Sequence, residues 1–134
     1  MKATPRSTVL IVDDDFTLRG ALQSALVAMG CRVLTAAEAD TAYALLAGGP
    51  VDAVLLDVRL PTMSGLALYL AIVHRWPQLE GRIAVMTGDA DAPDVRPWLE
   101  LQRCTVFRKP FRVEQLAAWL DAALLVRERK AVAR

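Results

Sequence analysis

Val9-Leu10-Ile11-Val12-Asp13-Asp14-Asp15 is a run of four aliphatic residues that stops at three carboxylates. An unbroken apolar run of this length suits a strand buried on both faces of a parallel sheet, where the polar alternation of a half-exposed strand is lost. The same grammar returns twice: Val54-Leu55-Leu56 stops at Asp57, and Ile83-Ala84-Val85-Met86 stops at Thr87. These three runs are read as central strands, and the weaker runs Val33-Leu34 and Val106-Phe107 as edges.

The stretches between the runs have helical spacing. Segment 16–29 places Leu18, Leu22, Ala25, Leu26 and Met29 on one face, and Gly30 follows as a C-terminal stop. Residues 38–47 form an Ala- and Leu-rich helix closed by Gly48-Gly49-Pro50, and 65–75 a third helix that ends before Pro77. Pro93 and Pro97 allow only a short fourth helix, starting near Asp94 with Pro97 in its first turn and stopping around Gln102. The fifth, about 113–128, turns Val113, Leu116, Leu120 and Leu124 toward the sheet. Strands alternating with helices define an α/β fold: a doubly wound five-stranded parallel sheet with helices on both faces. The expected organisation is an extended or disordered segment 1–7, one domain over 8–128 and a tail over 129–134.

Composition narrows the function. A net charge of +1 over 134 residues leaves no clustered basic surface of the kind that binds nucleic acid, and the basic residues Arg127, Arg129, Lys130 and Arg134 read as solvated. The polar N-terminus and the lack of any run near ~20 apolar residues lead us to expect a cytoplasmic protein with no membrane partner. Cys31 and Cys104 read as buried thiols in a reducing compartment, and His74, with no second His or Cys at ligand spacing, as a structural or surface residue.

In doubly wound sheets the ligand site lies beyond the carboxyl ends of the strands. Here those ends carry Asp13-Asp14-Asp15, Asp57, Thr87 and, after the last strand, Lys109-Pro110. Singly each has a plain structural reading: Asp15 as a helix N-cap, Thr87-Gly88-Asp89 as a turn, Lys109-Pro110 as the end of an edge strand. Together they aim polar groups from chain-distant segments into one volume. A carboxylate cluster there repels itself unless a cation joins it, and Mg²⁺ is the hard, oxygen-seeking ion such a site takes.

Val12-Asp13-Asp14-Asp15, Leu56-Asp57-Val58-Arg59-Leu60-Pro61, Met63-Ser64-Gly65, Met86-Thr87-Gly88 and Lys109-Pro110-Phe111 resemble, in order and spacing over about residues 8–125, the response-regulator receiver family of two-component signalling. The resemblance implies a flavodoxin-like fold with strand order 2-1-3-4-5. It implies a phosphorylation switch, a phosphoacceptor rather than a turnover enzyme, loaded on Asp57 by a sensor histidine kinase or a histidine phosphotransfer protein. Asp14 and Asp57 would bind Mg²⁺, with Asp13 acting mainly through water and Arg59 offering its backbone carbonyl; Thr87 and Lys109 would donate to phosphoryl oxygens. Gly88 would leave room for the phosphoryl group, and Lys109-Pro110 would be cis.

The chain departs from the family at Val106, where an aromatic or His is common three residues before the lysine, and at Gln102-Arg103, where the family usually has Gly-Ala. The expected moving element is therefore 88–97. A homodimer through the fourth and fifth helices, using Trp98, Trp119, Ala122 and Val126, is a further expectation. A stand-alone receiver is expected ahead of the N-terminal receiver of a longer regulator with a DNA-binding or enzymatic output domain. Two other classes fit less well. A haloacid-dehalogenase-like phosphatase wants a second Asp where Arg59 stands, and a flavin carrier wants a hydroxyl- and Gly-rich loop where the three carboxylates stand.

Overall fold

The computed structural model describes residues 7–133, with side chains described through residue 124. Eleven elements follow in order: β1 (Thr8–Val12), α1 (Phe16–Ala28), β2 (Arg32–Ala36), α2 (Ala39–Ala47), β3 (Ala53–Asp57), α3 (Gly65–Arg75), a 3-10 turn (Pro77–Leu79), β4 (Ile83–Thr87), α4 (Arg96–Gln102), β5 (Thr105–Arg108) and α5 (Val113–Ala133). The strands form one parallel sheet in the order β2-β1-β3-β4-β5. Every residue of β1, β3 and β4 is buried, as their unbroken apolar runs require, while β2 and β5 have exposed and half-buried positions. Cys31 and Cys104 flank these opposite edge strands and are both free thiols.

Strand alternation splits the core in two. Leu10, Val12, Val54, Leu56, Ile83 and Val85 point to the side covered by α2 and α3. Val9, Ile11, Leu55, Met86 and Phe107 point to the side covered by α1 and α5, where they meet Leu22, Leu26, Leu116, Leu120 and Leu124. Gly30 ends α1 with φ 90°, a left-handed turn that favours glycine.

Three expectations need adjustment. α4 starts at Arg96 rather than near Asp94, so that Pro97 occupies its first turn, and it ends on Arg103 in a left-handed conformation, φ 55°. α5 continues to Ala133, past the expected end near 128, because 113–133 contains no Gly or Pro to stop it. Val113 was expected to face the sheet and is 46 % exposed. As the first residue of a helix that begins on the strand-end side of the sheet, it overhangs the sheet rather than packing on it.

The residues expected on a homodimer surface differ in exposure. Trp98 and Trp119 are half-buried against opposite core layers, Trp98 edge-on to Tyr69 at 5.1 Å and Trp119 edge-on to Phe107 at 6.0 Å. Ala122 is exposed, and the side chain of Val126 lies outside the described residues. Among the described residues no helix is long and apolar enough to cross a membrane.

Candidate functional site

The sheet register assembles the site. β1 and β3 pair with Val12 opposite Leu56, so the next residue on each strand, Asp13 and Asp57, emerges side by side. β4 pairs with β3 so that Met86 lies opposite Asp57, which places Thr87 one step beyond. The backbone N–H of Lys109 donates to the Thr87 carbonyl at 2.7 Å and carries the lysine in from the edge. Lys109-Pro110 is cis, as the resemblance implied.

Asp13 is fully buried. Its Oδ1 accepts from the backbone N–H of Asp15 at 2.8 Å, and its Oδ2 accepts from Lys109 Nζ at 3.0 Å. The same ammonium lies 3.3 Å from Asp57 Oδ1, which also accepts a long bond, 3.4 Å, from the Arg59 backbone N–H. Asp14 is exposed at the rim, and one carboxylate oxygen from each of Asp13, Asp14 and Asp57 falls within 4.8 Å of the others. Asp15 turns away as the N-cap of α1, accepting from Thr17 and Leu18 at 3.0 and 3.1 Å, the capping role expected of it.

This arrangement is electrostatically unbalanced. Burial and the neighbouring Asp13 carboxylate push Asp57 from 3.8 up to about 6, with Lys109 only partly offsetting them. Burial works against the Lys109 ammonium, but its hydrogen bond to Asp13 and the charges of Asp57 and Asp13 outweigh that effect and hold its pKa above the ordinary lysine value. A lone ammonium does not neutralise two or three carboxylates. The donor set, all hard oxygens within reach of one another, fits a small divalent cation.

Thr87 is buried, and its hydroxyl is engaged by Asp89. It donates to Asp89 Oδ1 at 2.9 Å and accepts from the Asp89 backbone N–H at 3.1 Å. The Arg59 side chain had no assigned part in the sequence reading, which used only its carbonyl. In the structure its guanidinium grips Asp94 with both nitrogens, at 2.7 and 3.2 Å, and Asp89 at 2.8 Å. These bonds lower the pKa values of both aspartates, Asp89 through Arg59 and then Thr87, Asp94 through Arg59. Contacts 30 and 35 residues apart in sequence leave no local signal by which they could have been anticipated.

Gly65, part of the quoted Met63-Ser64-Gly65 motif but given no role there, has one in the structure. A Cβ there would lie 1.9 Å from the Asp57 carbonyl oxygen and 2.9 Å from Val58 Cα, because the start of α3 closes directly on the backbone that carries Asp57; the Gly65 N–H donates to the Val58 carbonyl at 2.8 Å. Gly88, expected to matter by lack of bulk, has open space where its Cβ would be, so the protein's own packing makes no demand for glycine there.

A doubly wound parallel domain with carboxylates, a threonine and a lysine converging at its strand ends defines a class, and comparison with known proteins names it. Residues 9–121 match the model of the response regulator receiver domain. The chain belongs to that family. It is 31 % identical over 119 residues to the DNA-binding transcriptional regulator NtrC of Salmonella typhimurium, a match covering 89 % of this chain and 25 % of that protein. It is 38 % identical over 123 residues to the transcriptional regulatory protein AruR of Pseudomonas aeruginosa, covering 88 % of this chain and 48 % of that one. The chain thus spans about a quarter to a half of these curated relatives. Among solved structures, the signal receiver domain of an HD domain-containing protein from Pseudomonas fluorescens superposes with a TM-score of 0.84 at 26 % identity, covering 98 % of this chain and 96 % of that one. A CheY-like receiver domain protein from Methanospirillum hungatei, at 22 % identity, gives the same TM-score over 95 % of this chain and 99 % of that one and supports the fold.

Proposed function

We propose that Asp57 accepts a phosphoryl group from a phosphohistidine on a sensor histidine kinase or histidine phosphotransfer protein, with Mg²⁺ held by Asp14, Asp57, the Arg59 carbonyl and, through water, Asp13. The observation that carries this reading is the buried Asp57 carboxylate beside Asp13 with the Lys109 ammonium bridging both, at 3.3 and 3.0 Å. An Asp57 oxygen forms the new bond to phosphorus as the phosphorus–nitrogen bond to the donor imidazole breaks, and that nitrogen leaves with the bonding electron pair. The cation, when bound, supplies the positive charge that lets one anion approach another. Lys109 keeps its Nζ at the oxygen it already touches and meets the charge that develops on the phosphoryl oxygens. Thr87 would supply a further donor from the end of β4. The same groups would assist dephosphorylation, in which water attacks the phosphorus, the phosphorus–oxygen bond to Asp57 breaks and inorganic phosphate leaves with the carboxylate restored.

We further propose that the domain serves as the receiver of a longer regulator, the arrangement that its partial coverage of NtrC and AruR supports. The phosphatase alternative gains no support, because the residue two past Asp57 is an arginine whose guanidinium is engaged with Asp89 and Asp94. The test is labelling from a phosphorylated histidine kinase with Mg²⁺ and with chelator. We expect a hydroxylamine-sensitive label that needs Mg²⁺ and is lost in Asp57→Asn. Full-rate labelling of Asp57→Asn, or labelling that is acid-stable or metal-independent, overturns the assignment.

A further inference from the structure

Asp89 holds two bonds with one carboxylate. Oδ1 accepts a hydrogen bond from the Thr87 hydroxyl at 2.9 Å, and Oδ2 accepts one from a guanidinium nitrogen of Arg59 at 2.8 Å. Arg59 is itself fixed by the two-nitrogen grip on Asp94, so the orientation of Asp89 is set from a point five residues further along the same connection. A hydroxyl has a single proton to donate. While Thr87 gives it to Asp89, none is left for a phosphoryl oxygen on Asp57.

We propose that Asp89 is a positioning residue that competes with the phosphoryl group for the Thr87 hydroxyl, and that the Arg59–Asp94 grip strengthens this competition. The inference rests on the reading of Asp57 as the phosphoryl acceptor. The Asp89–Thr87 bond opposes the phosphorylated state and must open for Thr87 to serve it. Opening frees one side of Asp89, and the ion pairs that tie the end of β3 to the connection after β4 then follow or yield. The clasp thereby couples the chemistry at Asp57 to the segment that leads into α4. Its three charged groups are all about half-exposed or more, side chains 49 to 64 % accessible, so it can open without unfolding the core.

The test measures the apparent affinity of the full chain for beryllofluoride at fixed Mg²⁺. Asp89→Ala is expected to tighten binding about three- to tenfold, the range of one net hydrogen bond. Asp94→Ala should tighten it less, in the same direction. In a Thr87→Ala background the effect of Asp89→Ala should disappear, which a purely structural or purely electrostatic role of Asp89 would not produce. Asp91→Ala is the charge control, since Asp91 lies on the same connection but pairs with Arg108 of β5, while the Thr87 hydroxyl donates to Asp89. Unchanged or weaker binding in Asp89→Ala, an equal gain in the Thr87→Ala background, or an equal gain from Asp91→Ala overturns the inference and leaves the Asp57 reading standing. A wild type that binds no beryllofluoride, or an Asp57→Asn variant that binds as well as wild type, overturns both.

Discussion

Replacing Asp57 by Asn should stabilise the metal-free protein at neutral pH, and the size of the effect follows from the site. Burial and the Asp13 carboxylate raise the Asp57 pKa from 3.8 to about 6, so ionising this group in the folded protein is disfavoured relative to the unfolded chain. That interval corresponds to about 3 kcal/mol. Because the folded value is raised, the sign is the reverse of the usual carboxylate. Below about pH 4 both states carry the proton and the group costs nothing. As pH rises from about 4 through 6 the unfolded chain releases its proton first, and the wild type loses stability, with the full deficit present above about 7. Asn removes the charge but also the Lys109 contact at 3.3 Å, so the net gain should be about 1–3 kcal/mol. Urea denaturation in chelator from pH 4 to 8 measures it, with an expected midpoint increase of about 0.5–1.5 M near pH 7.5 that shrinks toward zero at pH 4. Millimolar Mg²⁺ should close the gap by stabilising the wild type and leaving Asp57→Asn nearly unchanged. Equal or lower stability of Asp57→Asn at every pH in chelator would refute the argument that Asp57 is held against a burial and repulsion cost.

Gly65→Ala should cost about 2–4 kcal/mol in thermal or urea unfolding and weaken Mg²⁺ binding as well, because the added Cβ, 1.9 Å from the Asp57 carbonyl, forces the α3 start away from the backbone that bears the acceptor. Leu120→Ala, at a fully buried position under the α5 face of the sheet, should cost about 2–5 kcal/mol by calorimetry or denaturant titration. Hydrogen exchange with and without beryllofluoride should change most over 88–97, where the ion pairs are exposed and α4 spans only seven residues, while Phe107, 7 % exposed against Trp119 and Phe111, keeps its protection. A large change at Phe107 with 88–97 unaltered would make the aromatic the moving element instead.

The parallel sheet and its strand-end residues were legible in the sequence because both are written in consecutive residues. Val9-Leu10-Ile11-Val12 has to be buried on both faces whatever its partners, and a polar residue after such a run has to emerge at the strand's end. Asp13, Asp57, Thr87 and Lys109 therefore reach one rim by the logic of the fold class, and the structure brings them together as expected. What the tertiary structure alone decided are features that depend on the relative placement of loops. The Arg59 clasp joins residues 30 and 35 positions apart through flexible side chains, so no periodicity or motif announces it. The direction of the Thr87 hydroxyl depends on where Asp89 sits after the turn. The need for glycine at 65 is a matter of how closely the start of α3 approaches the backbone of Asp57. The division of Trp98 and Trp119 between opposite core layers follows from which side of the sheet each helix covers. One-dimensional pattern records which residues must be buried and where strands stop; the distance between two loops is a property of the packed sheet and helices that hold them.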